Sequence, residues 1–509
     1  MDFDNKIRTS TLDGFAVVYI LWSVFFILFS AGLSAGVVTC LNVIILASTY
    51  VFARAIPNKT WVLRGLVILG VLQASVALLQ YFGVINSNHS IFKITGLMGN
   101  PGQLGGFQAV SLISCLLIYR QVTNWTQKIV VIASTILILY SVMISDSRAS
   151  LLAIISGSVV LIPQQWYAIF KKYTWVWIIL LCVIGFFVWA IYLYRPDSVN
   201  ARILIWRVSA RMFLDKPIFG FGFYGFSSHY MQYQGDFLSA CPNEKFTSIA
   251  SDVSYPYNDI VRVLVEQGLV GFSLLIMFIY KAFKGVQNKN LCAPLITVLT
   301  FSFFSYSSYK LSLNIMFPML LGILEAKPLV KSYLKSLFLS HYSFVSIIAC
   351  ILGLLFYEYN FQRHLSNFYS SNDAKILSDI EMIFKRNHNN LKMNSCYSTL
   401  VKHFPEVLTD ETIPLLLPSI ENCCTAGMYY FLKSDYDTAE KYFLEASRMG
   451  PNYIQPKYNL WMTYVKQGRD TDAINIADEI THMKVKVEST YTLSVRNKML
   501  YYYSANKAY

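Results

Sequence analysis

Apolar stretches about as long as a bilayer is thick recur along the first 358 residues of this chain. A helix needs roughly 20 apolar residues to cross the hydrocarbon core, because each residue advances it about 1.5 Å. Eleven such stretches are predicted, near 13–30, 33–53, 62–84, 103–119, 128–144, 149–165, 174–194, 261–283, 291–308, 311–325 and 339–358. Only 14% of the 509 residues are charged and 55% are hydrophobic. Soluble domains carry nearer 25% charge, so a cytosolic enzyme, a disordered chain and a fibrous protein are all excluded. The polar start MDFDNKIRTSTLD leads straight into the first apolar run, and no small-residue cleavage site closes that run, so it reads as a membrane helix.

Loop charges orient the chain. With the N-terminus inside, the inner loops hold fifteen lysines and arginines, among them Arg54, Lys59, Arg120, Lys171, Lys284 and Lys331, against Lys93, Arg148 and Lys310 on the short outer loops. That is the positive-inside pattern. It places the C-terminus outside and accounts for much of the net charge of +13 without nucleic acid as a partner. Two long polar segments then fall on the outer face, one from about 195 to 260 and one from 359 to 509. The first begins with Arg195, Arg202, Arg207, Arg211 and Lys216, and Arg148 lies on the same face. Guanidinium groups gathered on the side where cations are disfavoured suit an anionic ligand such as a phosphate. Snorkelling to lipid headgroups is the plainer use of such residues.

The last segment repeats itself. Tyr430 and Tyr464, Ala439 and Ala473, and Ser434 and Gly468 each stand 34 residues apart, the tetratricopeptide period. Stacked helical hairpins of that kind form concave surfaces that bind polypeptide. The nine cysteines are scattered and include no C-x-x-C, so they form neither a disulfide framework nor a zinc site. A single bridge from Cys396 to Cys423 or Cys424 is left open.

No P-loop, dinucleotide turn, H-E-x-x-H or G-x-S-x-G occurs, and the span interiors hold almost no Asp or Glu. A proton-coupled pump is thereby disfavoured. Chemistry, if any, belongs to the outer face. Four segments there stand out: Gly96–Gln103, Ser145–Ser150, Asn200–Phe223 and Ser251–Gly271. The last gathers Asp252, Tyr257, Asn258, Asp259 and Glu266 where the chain re-enters the membrane. Each has a structural use as well. Arg148 can pair with Asp146, Glu266 with Arg262 one turn away, and Asn258 can cap the helix that follows it.

The order of these segments resembles the O-antigen ligase and polymerase superfamily, including the bacterial protein O-oligosaccharyltransferases. Members show a G-x-x-x-N-P turn, an S-R-small motif opening a span, R-x-x-x-W with D-x-P-x-x-G-x-G, a His-Asn pair, and Glu followed by Gly-Leu-x-Gly. The counterparts here are Gly96/Asn100/Pro101, Ser147-Arg148-Ala149, Arg202/Trp206, Asp215/Pro217/Gly220/Gly222 and Asn258/Glu266/Gly268/Leu269/Gly271, between about residues 95 and 285. The resemblance implies an all-α, polytopic membrane enzyme of about eleven transmembrane helices (1–358) with a C-terminal tetratricopeptide-like domain (359–509). It implies a bacterial inner-membrane location with the C-terminal domain in the periplasm. The donor would be a polyprenyl-diphosphate-linked glycan. The acceptor would be a hydroxyl, on protein Ser/Thr, on lipid A core or on another glycan. Arg148, Arg202, Arg207 and Arg211 would hold the donor diphosphate, with no metal or cofactor called for. The catalytic candidates are Tyr257, Asn258, Asp259, Asp252 and Glu266. One position departs from the pattern: the family's histidine is replaced by Tyr257, so its role as base does not carry over. A membrane scaffold with a partner-binding repeat domain is the non-enzymatic alternative.

Overall fold

The computed structural model describes residues 10–31, 37–87, 89, 91–163, 165–166, 175, 185, 196–325, 329, 333–371, 373–485 and 488–506. Helices and loops make up all of the described residues. The membrane part begins with α1 (Thr11–Ala31), α2 (Val37–Ala55), α3 (Thr60–Tyr81), α4 (Pro101–Gln121), α5 (Trp125–Ile144) and α6 (Arg148–Val160). The polar segment after it carries α7 (Pro196–Asp215), α8 (Gly225–Ala240) and α9 (Glu244–Ile249). Then come α10 (Asp259–Gly285), α11 (Cys292–Phe303), α12 (Leu311–Asn314), α13 (Met316–Leu324) and α14 (Tyr333–Ser371). The remainder is α15 (Ala374–Asn387), α16 (Leu391–His403), α17 (Ile420–Leu432), α18 (Tyr436–Met449), α19 (Ile454–Gln467), α20 (Asp470–His482) and α21 (Thr490–Asn506).

Seven described helices, α1 to α5, α10 and α14, are long and apolar enough to cross a membrane. Three further expected spans fall on shorter apolar helices, and the one expected at 174–194 lies outside the described residues. The 13 residues of α6 extend only about 20 Å at 1.5 Å per residue, short of a 30 Å core. The stretch expected to span at 291–308 stops at Phe303, and residues 304–310 turn back as an irregular segment. That turn proves important below.

α4 lies at the centre of the membrane part, with 83% of its length buried. Buried side chains of α1 to α6 and α10, α11 and α13 close around it in one apolar cluster. A buried ion pair between Arg54 and Asp13 (2.9 Å), with the Tyr50 hydroxyl also donating to Asp13, ties α2 to α1.

The C-terminal helices pack as antiparallel neighbours. The α17–α18 and α19–α20 turns are alike: Ser434 and Gly468 both adopt left-handed backbone (φ 63° and 69°). In each, the next N–H closes the helix, Asp435 on the Tyr430 carbonyl and Arg469 on the Tyr464 carbonyl, both at 2.9 Å. This region does not stand apart from the α7–α9 segment. Gln234 donates to the Met449 carbonyl (2.8 Å), Asn452 to the Ser248 and Ala250 carbonyls, and Arg448 pairs with Asp236 at 2.6 Å. α14 runs unbroken through residue 358. The bridge left open at Cys396 is not formed: Cys396, Cys423 and Cys424 are all free. Cys396 packs in the cluster around α14 to α16, while Cys423 and Cys424 pack against α7 to α9.

Candidate active site

The Gly96–Gln103 turn is built to start α4. Gln80 accepts from the Thr95 and Gly96 N–H groups at 2.8 Å each, and Gln73 accepts from Leu97. Asn100 then caps α4 through the Gly102 N–H, with Pro101 at the first helical position, where its missing N–H costs nothing. Gly105, one turn in, lets the start of α6 sit against α4: a Cβ there would lie 2.5 Å from both the Ser147 Cβ and the Ser150 Oγ. Arg148 is the first residue of α6, entered through Asp146 in left-handed backbone (φ 50°).

α7 brings Arg202 to the same place. Its guanidinium lies over the Tyr257 ring, 5.9 Å from the centroid. Trp206, one turn on, donates to the Pro256 carbonyl (3.1 Å) and so pins the segment that carries Tyr257. Burial lowers the basicity of Arg202; Tyr257 opposes that, and Arg148 is near enough to add to it by repulsion. Burial likewise pushes the Tyr257 phenol up, with Arg202 pulling it back, so the phenol stays protonated. Two guanidiniums held close together favour an anion between them. Arg207 and Arg211 do not join them. Five residues place Arg207 about 140° round the helix from Arg202. It lies over the Phe246 ring, and Arg211 lies over Phe237 with a contact to Cys241.

Tyr257 itself has φ 52°, strained for a bulky residue. Asn258 caps α10, accepting from the Ile260 and Val261 N–H groups. Asp259 accepts from the Ser307 hydroxyl (2.5 Å), the Ser308 N–H (3.2 Å) and the Ser308 hydroxyl. Arg262 pairs with Glu266 at 2.9 Å and lies 3.8 Å from Asp259. Glu266 is 1% exposed, and the Tyr309 hydroxyl lies 3.5 Å from it. Asp252 is elsewhere engaged, accepting from the Ile420 N–H at the start of α17 (2.8 Å). Its dehydrated crevice pushes the carboxyl up to about 6, against the pull of the Ile420 and Glu421 N–H groups.

α10 is broken at Gly268 (φ 62°). Leu269 and Val270 would ordinarily donate to Val265 and Glu266. They donate instead to the Pro217 and Ile218 carbonyls (2.8 and 3.2 Å), while Phe221 and Gly222 donate to Val265 and Glu266 (2.9 and 3.0 Å). Two helix bonds are thus exchanged for four between segments. The D-x-P-x-x-G-x-G and Gly-Leu-x-Gly motifs are the two halves of one joint, and that joint fixes Glu266 relative to α7.

Residues 133–276 match the O-antigen ligase family. Every residue placed above from Arg148 to Gly268 lies within the O-antigen ligase match. The chain is also similar to polysaccharide ligase candidates of Rickettsia. It is 26% identical to that of Rickettsia felis over 189 residues, 33% of this chain and 44% of that protein. To that of Rickettsia bellii it is 30% identical over 167 residues, 30% of this chain and 39% of that protein. The chain spans about two fifths of the length of these curated relatives. No solved structure gives a significant match.

Sequence reasoning missed the 304–310 turn of the site, because Tyr306 falls inside the span expected at 291–308 and Tyr309 in the short turn that follows it. Tyr306 stacks on Tyr255 (4.5 Å, 6°) and meets Tyr257 edge-on (5.2 Å), and Tyr309 meets Tyr255 (4.7 Å). Arg262 in turn lies over Tyr309 at 5.6 Å. A ridge of four tyrosines therefore joins the Arg148–Arg202 end to the Arg262–Glu266 end. Beyond it opens a cavity of about 1220 Å³, lined by Tyr255, Asp259, Arg262 and Glu266 and roofed by α16 and the start of α17. The polar run Tyr306-Ser-Ser-Tyr309 was the signal available in the sequence.

Proposed function

We propose that this protein transfers a glycan from a polyprenyl-diphosphate donor to the hydroxyl of protein Ser or Thr. The observation that carries the reading is the approach of Arg148, from one motif, to Arg202, from another, with Arg202 lying over Tyr257. Both guanidiniums face the diphosphate. The acceptor oxygen attacks the sugar C1, the C1–O bond breaks, and its electron pair leaves on the diphosphate oxygen. Fixed cations in a dehydrated site stabilise that charge as it develops. The Tyr257 hydroxyl donates to the same oxygens. The acceptor's proton passes to the Asp259–Arg262–Glu266 network, where two carboxylates share one arginine and keep a spare negative charge. Asn258 positions the segment by capping α10, and Asp252 by holding α17. No metal or cofactor has a part.

Residues 1–358 form the transfer unit and 359–509 a tetratricopeptide-like unit. The 34-residue recurrence of the same left-handed turn at Ser434 and Gly468 supports the repeat, and a repeat surface supports a protein acceptor. The loop charges support an N-terminus in the cytoplasm and a site on the periplasmic face of a bacterial inner membrane. A second reading, ligation of the glycan to lipid A core, is in keeping with the polysaccharide-ligase names of the Rickettsia relatives. A deletion strain complemented with wild type or Arg148→Ala separates them. Loss of periplasmic glycoproteins with an intact lipopolysaccharide ladder supports protein glycosylation. Loss of the long ladder rungs alone supports ligation. No change in either defeats both.

A further inference from the structure

The cavity beyond the tyrosine ridge is not explained by the donor. Its floor is aliphatic, with Ile20 from α1, Leu46 from α2, and Leu275 and Ile276 from α10. Its upper part is acidic: Asp252, Asp259, Glu266, Glu358 and Glu421 line it, against Arg262, Lys310 and Lys392. Five carboxylates against three cations repel a diphosphate or a phosphorylated headgroup. An aliphatic floor does not suit a free glycan, whose hydroxyls would lose water there without hydrogen-bond partners. The lining fits a chain that carries apolar side chains and hydroxyls together and has no acidic groups.

Arg262 among the lining groups is already engaged, its Nη1 on Glu266 at 2.9 Å and its Nε buried 3.8 Å from an Asp259 oxygen. The roof comes from Leu391, Ser395 and Thr399 of α16 and Pro418 before α17, outside the segment that matches the O-antigen ligase family. At about 1220 Å³ the space exceeds the usual 300–1,000 Å³ of small-ligand sites.

We propose that this cavity is the acceptor site, and that it takes a short apolar polypeptide segment bearing Ser or Thr and free of acidic residues. The inference rests on the proposed transfer to protein and names its acceptor. The segment lies along the aliphatic floor, and its hydroxyl reaches the tyrosine ridge.

Binding is measured on the full chain in lipid nanodiscs without donor, by fluorescence anisotropy. The probes are a labelled Ala/Leu/Ser peptide flanked by lysine and the same peptide flanked by aspartate. The lysine peptide is expected to bind, and the aspartate peptide about tenfold more weakly. Ser395→Trp and Thr399→Trp, both exposed on the roof, fill the cavity and weaken the lysine peptide about tenfold. Lys441→Trp on α18 leaves it unchanged. Equal binding of the two peptides, or unaltered affinity in both roof variants, overturns the proposal. So does recovery of a phospholipid from the cavity with no peptide binding. The two readings fail separately. Peptide binding with these preferences and no glycan transfer leaves the site standing and defeats the activity. Transfer to protein with KM unchanged by both roof variants does the reverse.

Discussion

Gly220 and Gly268 face each other across the joint between the segment that follows α7 and the broken helix α10. A Cβ on Gly268 would lie 2.2 Å from the Ile218 carbonyl oxygen, and one on Gly220 would lie 2.4 Å from that of Glu266. Both residues have positive φ, so any side chain meets conformational strain of about 1–2 kcal/mol before the clash is counted. Gly268→Ala is expected to lower stability by about 3 kcal/mol or more, read as the thermal midpoint of the detergent-solubilised protein. Gly65→Ala, in open space on α3, should be neutral or stabilise by up to about 1 kcal/mol. Equal midpoints for Gly268→Ala and wild type would sink the account of this joint.

The four arginines expected to hold the donor divide into two pairs. Arg148 lies near Arg202, which is over the Tyr257 ring, whereas Arg207 and Arg211 lie over Phe246 and Phe237. Arg148→Ala and Arg202→Ala should each lower transfer by about 10²–10³-fold. Arg202→Lys should recover little of it, because a lysine cannot form the two-pronged contact. Arg207→Ala and Arg211→Ala should stay within about threefold of wild type. Transfer rates with membrane-extracted donor distinguish the pairs. A large loss at Arg207 with none at Arg202 would reverse the assignment.

How much of this was legible in the sequence depended on the range of the interaction. The hydrophobic runs forecast α1 to α5, α10 and α14 because hydrophobicity and length are local properties. The Asn258 cap and the Arg262–Glu266 pair were legible for the same reason, lying within one turn. The exchange of hydrogen bonds between 217–222 and 265–270 was not, since two motifs that look like separate turns complete each other only in space. Tyr306 escaped because an apolar, aromatic stretch reads as a span until its helix ends at Phe303, and Tyr309 because a two-residue turn between expected spans gives no sign of chemistry. Arg202 and Arg207 looked equivalent, and only the helix rotation separates them.

The matched turns of the C-terminal helices give a further test. Ser434 occupies the left-handed position that Gly468 fills in the second hairpin. Glycine adopts that backbone without cost and serine does not. Ser434→Gly should therefore stabilise by about 0.5–1 kcal/mol and Gly468→Ser should destabilise by a similar amount. Opposite shifts in thermal midpoint are the expected result; shifts of the same sign would break the equivalence of the two turns.

Asp252 should make the docking of the C-terminal helices pH-dependent. Its carboxyl is raised from 3.8 to about 6, chiefly by loss of hydration. Between those values the folded chain holds a proton that the unfolded chain has released. Stability from this group therefore rises as pH falls through about 6, and the gain is complete below 3.8. Asp252→Asn keeps an oxygen to accept the Ile420 N–H but cannot ionise. Its midpoint should exceed that of wild type near about pH 7 and change less between about pH 7 and about pH 5. A pH response identical to wild type would show that another group governs it.

The resemblance implies a histidine where this chain has Tyr257, and the left-handed backbone there suits the exchange Tyr257→His. Left-handed φ is tolerated better by histidine than by most residues with a side chain, so Tyr257→His should fold without loss. In wild type the phenol is held up by burial and stays neutral, so this residue gives the transfer rate no acidic limb. A histidine in its place titrates near 6.5 when unperturbed. Arg202, lying over the ring it replaces, disfavours the second positive charge and moves that value lower. Tyr257→His is therefore expected to retain transfer and to gain a new pH dependence with an apparent pKa below about 6.5. Tyr257→Phe, which keeps the ring and loses the donor, should lose about tenfold at all pH values, since one hydrogen bond to a charged group is worth about 1.5 kcal/mol. The pH–rate profiles of the three proteins decide the matter. A flat profile for Tyr257→His, or full activity in Tyr257→Phe, would remove Tyr257 from the reacting groups and leave the two arginines as the whole of the donor site.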